Sequence, residues 1–473
     1  MSVPSGKFTD GSAACPKEAS FEDPYKYQCG FGNYHATEAM SGALPPSGSN
    51  LPQKGRYGLY AEHLNGTPFI SPRHSASNVW MYRGRPAVAH QPLQQIQRRH
   101  DIEACFLPSN PSVAYTPLPY TWGPLTTQEP DPSRGGDITF IQGLKTVGGH
   151  GDATLKEGLA IHQYVFNSDM HRQAFVNHDG EFLLIPQRGL LDIKTELGNL
   201  RVKPGMIVVL PAGIRFSINI VTRPLPTGQL TSETEMYAAG YVLEVCQRAC
   251  SPRDFEYPVA RFEREAGGRQ PWEITIKLAG RLYAYAQAHS PFDVVAWHGK
   301  YAPFRYDLSR FGHLSANTDQ LDPTAYCVLT APSKWPNVSL VDFCIFGEKW
   351  AVAENTLRIP YYHRTTAAEL CGVIFGQYKG SVRPLEAGGL SFEQSYMPHG
   401  ESYEAHRQET EAKHKPVKVA QGYLGFMFHI PSHIGLTTWA MHRHPDIRPE
   451  RVDLWDSMQN HFLDHTDGAD SSL

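Results

Sequence analysis

From Asp137 onwards the chain is a series of short apolar segments separated by turns, and this pattern restricts the fold more than any other feature. Several segments have the length and alternation typical of strands: residues 158–166, 182–186, 191–198 and 207–210. Asp179-Gly180, a dipeptide favoured in hairpin turns, precedes the second of them. Residues 105–136 carry seven prolines, which remove donors from a β-ladder, so irregular structure is expected there. The pattern predicts a mainly β fold with few short helices.

Composition excludes several classes of protein. The chain has 473 residues, of which 41% are hydrophobic and 19% charged, so a packed core is expected rather than disorder. Its net charge of −4 provides no general affinity for nucleic acid or an anionic membrane. No apolar run approaches the roughly 18 residues of a membrane span, and the N-terminus lacks the apolar core of a secretory signal. The eight cysteines are scattered without a CxxC pair, so reduced thiols and a cytoplasmic location are expected.

The chain is expected to divide into three parts. Residues 1–30 are polar and rich in lysine, glutamate, proline and glycine, and they are predicted to form a loose N-terminal arm. Residues 31–290 form the predicted N-terminal domain. Residues 291–473 form the predicted C-terminal domain, which begins close to a strand ending in Trp297-His298-Gly299. Residues 401–415 are densely charged and are expected to be a solvated helix or loop.

One motif in the N-terminal domain, Gly205-x5-Pro211-Ala-Gly213, resembles the second conserved motif of cupins, which are small jelly-roll β-barrels. Cupins that bind a metal through this motif carry a histidine three residues after the second glycine, where this chain has Phe216. A phenyl ring cannot ligate a metal, so this barrel is predicted to be free of metal. The alternative is an ordinary strand–turn–strand unit in which glycine takes a positive φ.

Two histidines and a glutamate form the best candidate for a metal site: His363, Glu369 and His399. Two imidazoles and one carboxylate, with positions left open, are the ligand set of non-haem Fe(II) oxygenases. His363 and Glu369 would lie about 20 Å apart in an extended strand and on different faces of a helix. Both can bind one ion only if residues 365–368 turn back. The chain has 22 histidines, so any one of them taken alone is more often a surface or structural residue.

Several long segments resemble homogentisate 1,2-dioxygenases, in the order found in that family. They are Leu59-Tyr-Ala-Glu-His-Leu-Asn-Gly66, Trp80 to His90, Gly158-Leu-Ala-Ile-His162, Pro186-Gln-Arg-Gly189, Ser290-Pro-Phe-Asp-Val-Val-Ala-Trp-His-Gly299, Pro360-Tyr-Tyr-His-Arg364 and Met397-Pro-His-Gly400. The resemblance extends over nearly the full length. It implies an N-terminal β-sandwich domain, a C-terminal cupin-like jelly roll that carries an iron site, and a homo-oligomer, either a trimer or a hexamer built from trimers.

The resemblance also implies an activity. It assigns iron(II) ligation to His363, Glu369 and His399, and the acid–base role to His298. The implied reaction inserts both atoms of O2 into the ring of a para-hydroquinone, nominally homogentisate, and yields 4-maleylacetoacetate. A phenol with a pKa of about 10 needs a base with a pKa closer to 7, and histidine is the usual choice.

Three residues are expected to line the substrate pocket: Tyr378, His399 and Glu393. Tyr378 matches a family tyrosine that contacts the substrate, although alone it would be assigned to the core. In the same way, His298 without the resemblance would be assigned as a buried histidine packed beside Trp297.

Four positions around the site depart from the family pattern. Thr365 replaces an asparagine, Ala368 replaces a serine, and Gln377 stands where some members have histidine or glutamate. Glu393 occupies the place of a histidine that helps to hold the acetate group of homogentisate. Because two facing carboxylates repel each other, the acetate pocket is expected to be changed.

Two alternatives to homogentisate cleavage therefore stay open. The first is a paralogue that cleaves a different hydroquinone-type aromatic lacking a free acetate group. The second is a non-catalytic cupin used for binding or assembly, although such a module has little use for the complete set of His363, Glu369, His399 and His298.

Overall fold

The computed structural model describes residues 21–30, 34–46, 55–73, 75–97, 101–127, 136–221, 237–245, 255–263, 270–311, 314–315, 326–351, 362–377, 385–413, 415–449 and 453–462. In chain order the strands are β1 (Tyr27–Cys29), β2 (His35–Glu38), β3 (Tyr60–Asn65), β4 (Asn78–Arg83), β5 (Gln94–Gln95), β6 (Val113–Ala114), β7 (Tyr120–Trp122), β8 (Leu144–Asp152), β9 (Glu157–Phe166), β10 (Gln173–Asn177), β11 (Glu181–Arg188), β12 (Leu191–Thr195), β13 (Gly198–Val202), β14 (Met206–Leu210) and β15 (Phe216–Ile220). They continue with β16 (Ala238–Val245), β17 (Glu256–Pro258), β18 (Trp272–Leu278), β19 (Arg281–Gln287), β20 (Val294–Gly299), β21 (Phe304–Asp307), β22 (Leu314–Ser315), β23 (Tyr326–Pro332), β24 (Ser339–Ala351), β25 (Ala368–Phe375), β26 (Leu390–Glu393), β27 (Val417–Ile430), β28 (Gly435–Thr437) and β29 (Ile447–Arg448).

Helices are short within the described ranges: α1 (Phe140–Gly143), α2 (Tyr403–Glu411) and α3 (Thr438–His442), with 3-10 turns at Arg56–Gly58, Ala153–Leu155, Leu308–Arg310 and Asp453–Trp455. The hydroxyl of Ser402 caps α2 by accepting a hydrogen bond from the Ala405 N–H at 3.2 Å. The prediction of a mainly β fold with few short helices is confirmed. None of these helices has the length and apolar character needed to cross a membrane.

The strands form four sheets. A ten-stranded sheet has the order β1-β17-β21-β14-β11-β16-β9-β8-β28-β6, and a seven-stranded sheet has the order β13-β12-β15-β10-β18-β19-β5. A four-stranded sheet has the order β2-β20-β4-β3. The eight-stranded sheet has the order β22-β24-β27-β25-β26-β7-β29, with β23 paired to β24. It contains most of the strands that follow residue 311.

Aromatic rings fill the space between the ten-stranded and seven-stranded sheets. Phe216 is buried there, and its ring packs edge-on against those of Phe140, Phe175 and Phe182 at centroid distances of 6.3, 5.5 and 6.4 Å. The turn before it uses Gly213 at a φ of +81°, which glycine adopts without steric cost. The Gly205–Phe216 motif therefore forms a strand–turn–strand unit whose aromatic side chain belongs to an apolar core.

Strand β25 is anchored to the ten-stranded sheet by its buried face. The hydroxyl of Tyr241 lies 2.8 Å from the Gly389 carbonyl oxygen and 3.1 Å from that of Val373, and its ring packs edge-on against Phe426. Side chains alternate along a strand, so the buried position of Leu370 directs Glu369 to the opposite, partly open face. The packing thereby fixes the direction of the glutamate.

The division into three parts remains a prediction. Strand pairs join residues on either side of the predicted boundaries at residues 30 and 290. In the part of the arm that is described, Tyr27 lies opposite Pro258 in the β1–β17 pair, and the Tyr25 hydroxyl donates to Asp192 at 2.7 Å. Phe21 and Tyr27 are partly buried and pack against the hydrophobic core. Beyond residue 290, β20 pairs with β2 and β4, and β21 pairs with β14.

Candidate metal centre

His363 and His399 are held side by side by the backbone. They form an isolated antiparallel bridge in which the His363 N–H donates to the His399 carbonyl at 3.0 Å and the reverse bond is 3.1 Å. The two imidazole rings have centroids 4.1 Å apart. Directly opposed residues of an antiparallel pair project their side chains to the same side, so both rings face one space.

Glu369 reaches the same space because the chain bends before β25. The bend falls at Thr366–Ala367, and the Thr365 carbonyl accepts a hydrogen bond from the Tyr396 N–H at 2.7 Å. This bond ties the bend to the segment that leads into His399. The chain thus bends within residues 365–368, where a turn is needed if His363 and Glu369 are to bind one ion. The bend brings these two candidate ligands together although they are close in sequence.

The three side chains present a compact set of donor atoms. Glu369 Oε2 lies 3.3 Å from His399 Nε2, and Glu369 Oε1 lies 4.0 Å from His363 Nε2. One ligand atom from each residue falls within 4.8 Å of the others. A divalent ion with metal–N and metal–O bonds of about 2.0–2.2 Å, the lengths that zinc adopts, fits between atoms at these separations. Two imidazoles and a carboxylate on one face match the donor set of non-haem iron oxygenases.

Hydrogen bonding fixes the tautomer of His399. Its Nδ1 lies 3.0 Å from the carbonyl oxygen of Met397, so Nδ1 carries the proton and donates. In the neutral ring the lone pair of Nε2 then points towards Glu369, as ligation requires.

The charges of Glu369, His399 and His363 stabilise one another. Burial by itself raises the pKa of Glu369, but His399 and His363 outweigh it and lower that pKa below its ordinary value. Burial lowers the pKa of His399, and Glu369 outweighs that effect and raises the pKa. A carboxylate kept ionised at neutral pH is ready to bind a cation.

Sheet register places two further ionisable residues beside Glu369. Glu393 of β26 lies directly opposite it on one side, and His429 of β27 lies directly opposite on the other. Both are partly buried, and their side chains project from the same face as Glu369. His429 also contributes to the lowering of the Glu369 pKa. The predicted pocket residue Glu393 therefore lies beside the three candidate metal ligands.

His298 lies on a different sheet from this cluster. It is on β20, where its Nε2 is 3.0 Å from the Tyr82 hydroxyl and its Nδ1 contacts the hydroxyl of Tyr34. Trp297 is directed into the core, where its indole N–H donates to the Leu197 carbonyl at 2.7 Å. His298 is not part of the three-residue group of potential ligands. The predicted pocket residue Tyr378 lies outside the described residues.

Comparison with known proteins identifies the family. A family model described as "Homogentisate 1,2-dioxygenase N-terminal" matches residues 26–308, and one described as "Homogentisate 1,2-dioxygenase C-terminal" matches residues 309–462. The chain belongs to the homogentisate 1,2-dioxygenase family. The two matches of this family meet directly after β21, so they group β20 and β21 with the N-terminal part, as the strand pairing does.

Curated members of the family are similar along nearly their whole length. The chain is 37% identical to the homogentisate 1,2-dioxygenase of Emericella nidulans over 456 aligned residues. The alignment covers 94% of this chain and 98% of the relative. It is 38% identical over 459 residues to that of Caenorhabditis elegans, with 93% and 98% covered. It is 39% identical over 448 residues to that of Arabidopsis thaliana, with 92% and 93% covered.

Three residues that lie beside the candidate site residues were not predicted from the sequence. Tyr82 lies within the family segment that begins at Trp80, and its strand β4 pairs with the strand of His298, so pairing could have indicated it. Tyr34 has no local signal, because its contact with His298 joins distant parts of the chain. His429 interrupts the apolar strand 422–430, and a polar residue at an alternating position was the available signal.

Proposed function

We propose that this protein is an iron(II)-dependent dioxygenase that cleaves the ring of homogentisate, inserting both atoms of O2 and yielding 4-maleylacetoacetate. The observation that carries the proposal is the convergence of His363, Glu369 and His399 in a member of this family. The set suits an ion that must also accept an aromatic substrate and O2, because three ligands on one face leave adjacent positions open.

Iron(II) is supported by the chemistry of the donors rather than by their number alone. The Met397 carbonyl holds His399 with Nε2 available, and Glu369 is kept ionised by its neighbours. When bound, iron(II) supplies the redox chemistry that activates O2 beside the hydroquinone. The protein contributes a preformed site, since the His363–His399 bridge consists of backbone hydrogen bonds.

We assign the acid–base role to His298. Burial lowers its pKa below the ordinary value of 6.5, so the ring is neutral near pH 7 and can accept a phenolic proton. Tyr34 is 59% exposed, whereas Tyr82 is partly buried on the neighbouring strand. Tyr82 would therefore hold Nε2 in place while the substrate hydroxyl replaces Tyr34 at Nδ1. The proton taken there would be returned as the ring opens.

The substrate pocket is proposed to include Tyr378, His399 and Glu393. The role of Tyr378 rests on the resemblance to the family. The alternatives of a neutral hydroquinone substrate and of a non-catalytic cupin are not favoured, because the curated relatives in a fungus, an animal and a plant are all homogentisate 1,2-dioxygenases. A homo-oligomer, trimer or hexamer, and a cytoplasmic location are part of the same proposal.

Oxygen uptake by the purified protein tests this function. The protein is loaded with Fe(II) under anaerobic conditions, its iron content is measured, and homogentisate is added in air-saturated buffer. Consumption of one O2 per homogentisate, with 4-maleylacetoacetate identified by mass spectrometry, is the expected result. Bound iron without uptake for homogentisate or any other para-hydroquinone would contradict the proposal. Zinc-loaded protein is the matched control, since zinc occupies the same ligands without redox chemistry.

A further inference from the structure

Three neighbouring strands place Glu393, Glu369 and His429 in one row across the eight-stranded sheet. Glu369 pairs with Glu393 in the β25–β26 register and with His429 in the β25–β27 register. Directly opposed side chains have Cβ atoms about 4.5–5.5 Å apart and share one face of the sheet. The metal-facing carboxylate is therefore flanked by an acid on one side and an imidazole on the other.

The acid side of this row is unfavourable for a carboxylate ligand. Glu393 is partly buried and lies near enough to influence the charged forms of both His399 and Cys371. A substrate carboxylate placed against it would add a further negative charge beside Glu369, and like charges at such distances repel strongly in a partly desolvated site. A substrate carboxylate is therefore disfavoured on the Glu393 side of the row.

The imidazole side offers a donor in the opposite direction. His429 is partly buried on β27 and projects from the same face as Glu369. The next residue of the row, Asp342, lies opposite His429, and its carboxylate accepts hydrogen bonds from the hydroxyls of Thr330 at 2.7 Å and Ser339 at 3.1 Å. These bonds stabilise the Asp342 carboxylate and leave its negative charge in place, so His429 lies between two carboxylates. Among the four residues of the row, the imidazole of His429 supplies the N–H donor for an anionic group.

We propose that His429 binds the substrate carboxylate and that the acetate group of homogentisate lies on the β27 side of Glu369, away from Glu393. This inference rests on the proposed function and names the residue that recognises the carboxylate of the substrate. It also explains how Glu393 can occupy its position without excluding an acidic substrate. His429 acts as a specificity residue, since it contacts the side chain of the substrate and not the ring that reacts.

Two compounds that differ only in charge test the inference. Homogentisate and its methyl ester have the same hydroquinone ring, but the ester lacks the carboxylate. The iron-loaded full-length protein is assayed for KM and kcat with both, and their Kd values are measured anaerobically by calorimetry. His429→Leu removes the donor, and His433→Leu is the control because His433 is an exposed histidine just beyond the same strand.

The wild-type protein should bind homogentisate more tightly than the ester. In His429→Leu the KM and anaerobic Kd for homogentisate should rise about 10- to 100-fold, the range expected for a lost hydrogen bond to a charged group, while the ester values change less than about twofold. His433→Leu should retain the wild-type preference. If His429→Leu does not fold, His429→Gln and His429→Asn replace it, because glutamine keeps an N–H donor near the Nε2 position and asparagine keeps one near Nδ1. Loss of the preference for the acid in at least one of the two is then the expected result.

Three results would overturn the inference. These are a wild-type protein with no preference for the acid, a His429→Leu protein that keeps the preference, and a loss of iron from a folded His429→Leu protein, which would make His429 a ligand. In each case turnover of a hydroquinone by the wild-type protein would leave the proposed function standing. If neither compound is turned over, the proposed function fails, and the anaerobic Kd ratio still tests the binding role of His429.

Discussion

His363 and His399 exchange both backbone hydrogen bonds of an antiparallel pair, at 3.0 and 3.1 Å. The two imidazoles, which are candidate metal ligands, are therefore placed by the backbone. Glu369 is placed independently, by the alternation of β25 and the anchoring of its other face. A site held in this way should remain folded when a ligand side chain is removed.

Replacing Glu369 by alanine should remove iron without unfolding the protein. The carboxylate supplies one of three ligands, so the loss in iron affinity should exceed the roughly 10- to 100-fold that loss of an outer hydrogen-bond partner typically costs. Iron content after anaerobic loading and dialysis measures the effect, and circular dichroism measures the fold. Glu404→Ala is the control, because Glu404 is exposed on α2 and pairs with Arg407. Full iron content in Glu369→Ala would show that other residues form the centre.

Replacing His298 by asparagine should lower kcat about 100- to 10,000-fold while iron content stays at the wild-type level, as expected for a general base. Because burial lowers the pKa of His298, the acid limb of the wild-type kcat/KM profile should lie below pH 6.5. Activity is lost as the pH falls through that pKa, since the protonated ring cannot accept a proton.

Tyr82→Phe should shift the same limb, because it removes the hydrogen bond to His298 Nε2. His63→Asn is a suitable control, since His63 is exposed on β3 of the same sheet and stacks on Trp80. An acid limb that stays unchanged in Tyr82→Phe, together with near-normal kcat in His298→Asn, would exclude His298 as the base.

Replacing Lys277 by methionine should destabilise the N-terminal part severely. Its buried ammonium group lies 2.6 Å from Asp179 and 2.8 Å from Glu244, and Glu244 also accepts from His162 at 3.0 Å. Removing the cation leaves two buried carboxylates without their shared partner, which typically costs about 3–5 kcal/mol. Guanidinium unfolding followed by tryptophan fluorescence measures the loss.

The matched control for this change is Lys194→Met. Lys194 pairs with Glu263 on the surface at 3.4 Å, and both side chains are about a third or more exposed. Such a pair typically contributes less than about 1 kcal/mol. Equal effects of the two substitutions would show that the buried network does not stabilise the fold.

Stability should also fall on mild acidification because of His444. Burial lowers the pKa of His444 to about 4. In the neutral ring, Nε2 donates a hydrogen bond to Gln163 Oε1 at 3.2 Å, and Nδ1 accepts one from the Asp446 N–H. In the unfolded chain the pKa of His444 is higher, near 6.5. The contribution of neutral His444 to the free energy of unfolding is therefore complete above pH 6.5 and is lost as the pH falls towards 4. The shift corresponds to a loss of up to about 3 kcal/mol.

Unfolding free energies at pH 7 and pH 5 check this expectation. His444→Asn should be less stable at pH 7 and should lose less on acidification, because asparagine does not titrate. His442→Asn, at an exposed position in the same segment, should keep the wild-type dependence. A His444→Asn protein with an unchanged pH dependence would contradict the assignment.

Much of the site could be predicted from local sequence. The candidate ligands followed from their chemistry, and the need for a turn at residues 365–368 followed from the reach of an extended chain. Residues 401–415 were expected to be a solvated helix or loop, and α2 lies within them. The polar composition of residues 21–30 did not indicate that Tyr25 hydrogen-bonds to Asp192 or that Tyr27 lies opposite Pro258 in a strand pair.

The sequence by itself determined the mainly β fold, the family and the three metal-ligand candidates, because alternation and ligand chemistry are properties of neighbouring residues. Only the tertiary structure decided what stands beside the ligands. Glu393 and His429 flank Glu369 because β26 and β27 pair with β25 in one register, and a shift of one residue would turn both side chains to the other face. Register depends on packing between distant strands. For that reason the sequence indicated Glu393, and only the structure indicated His429.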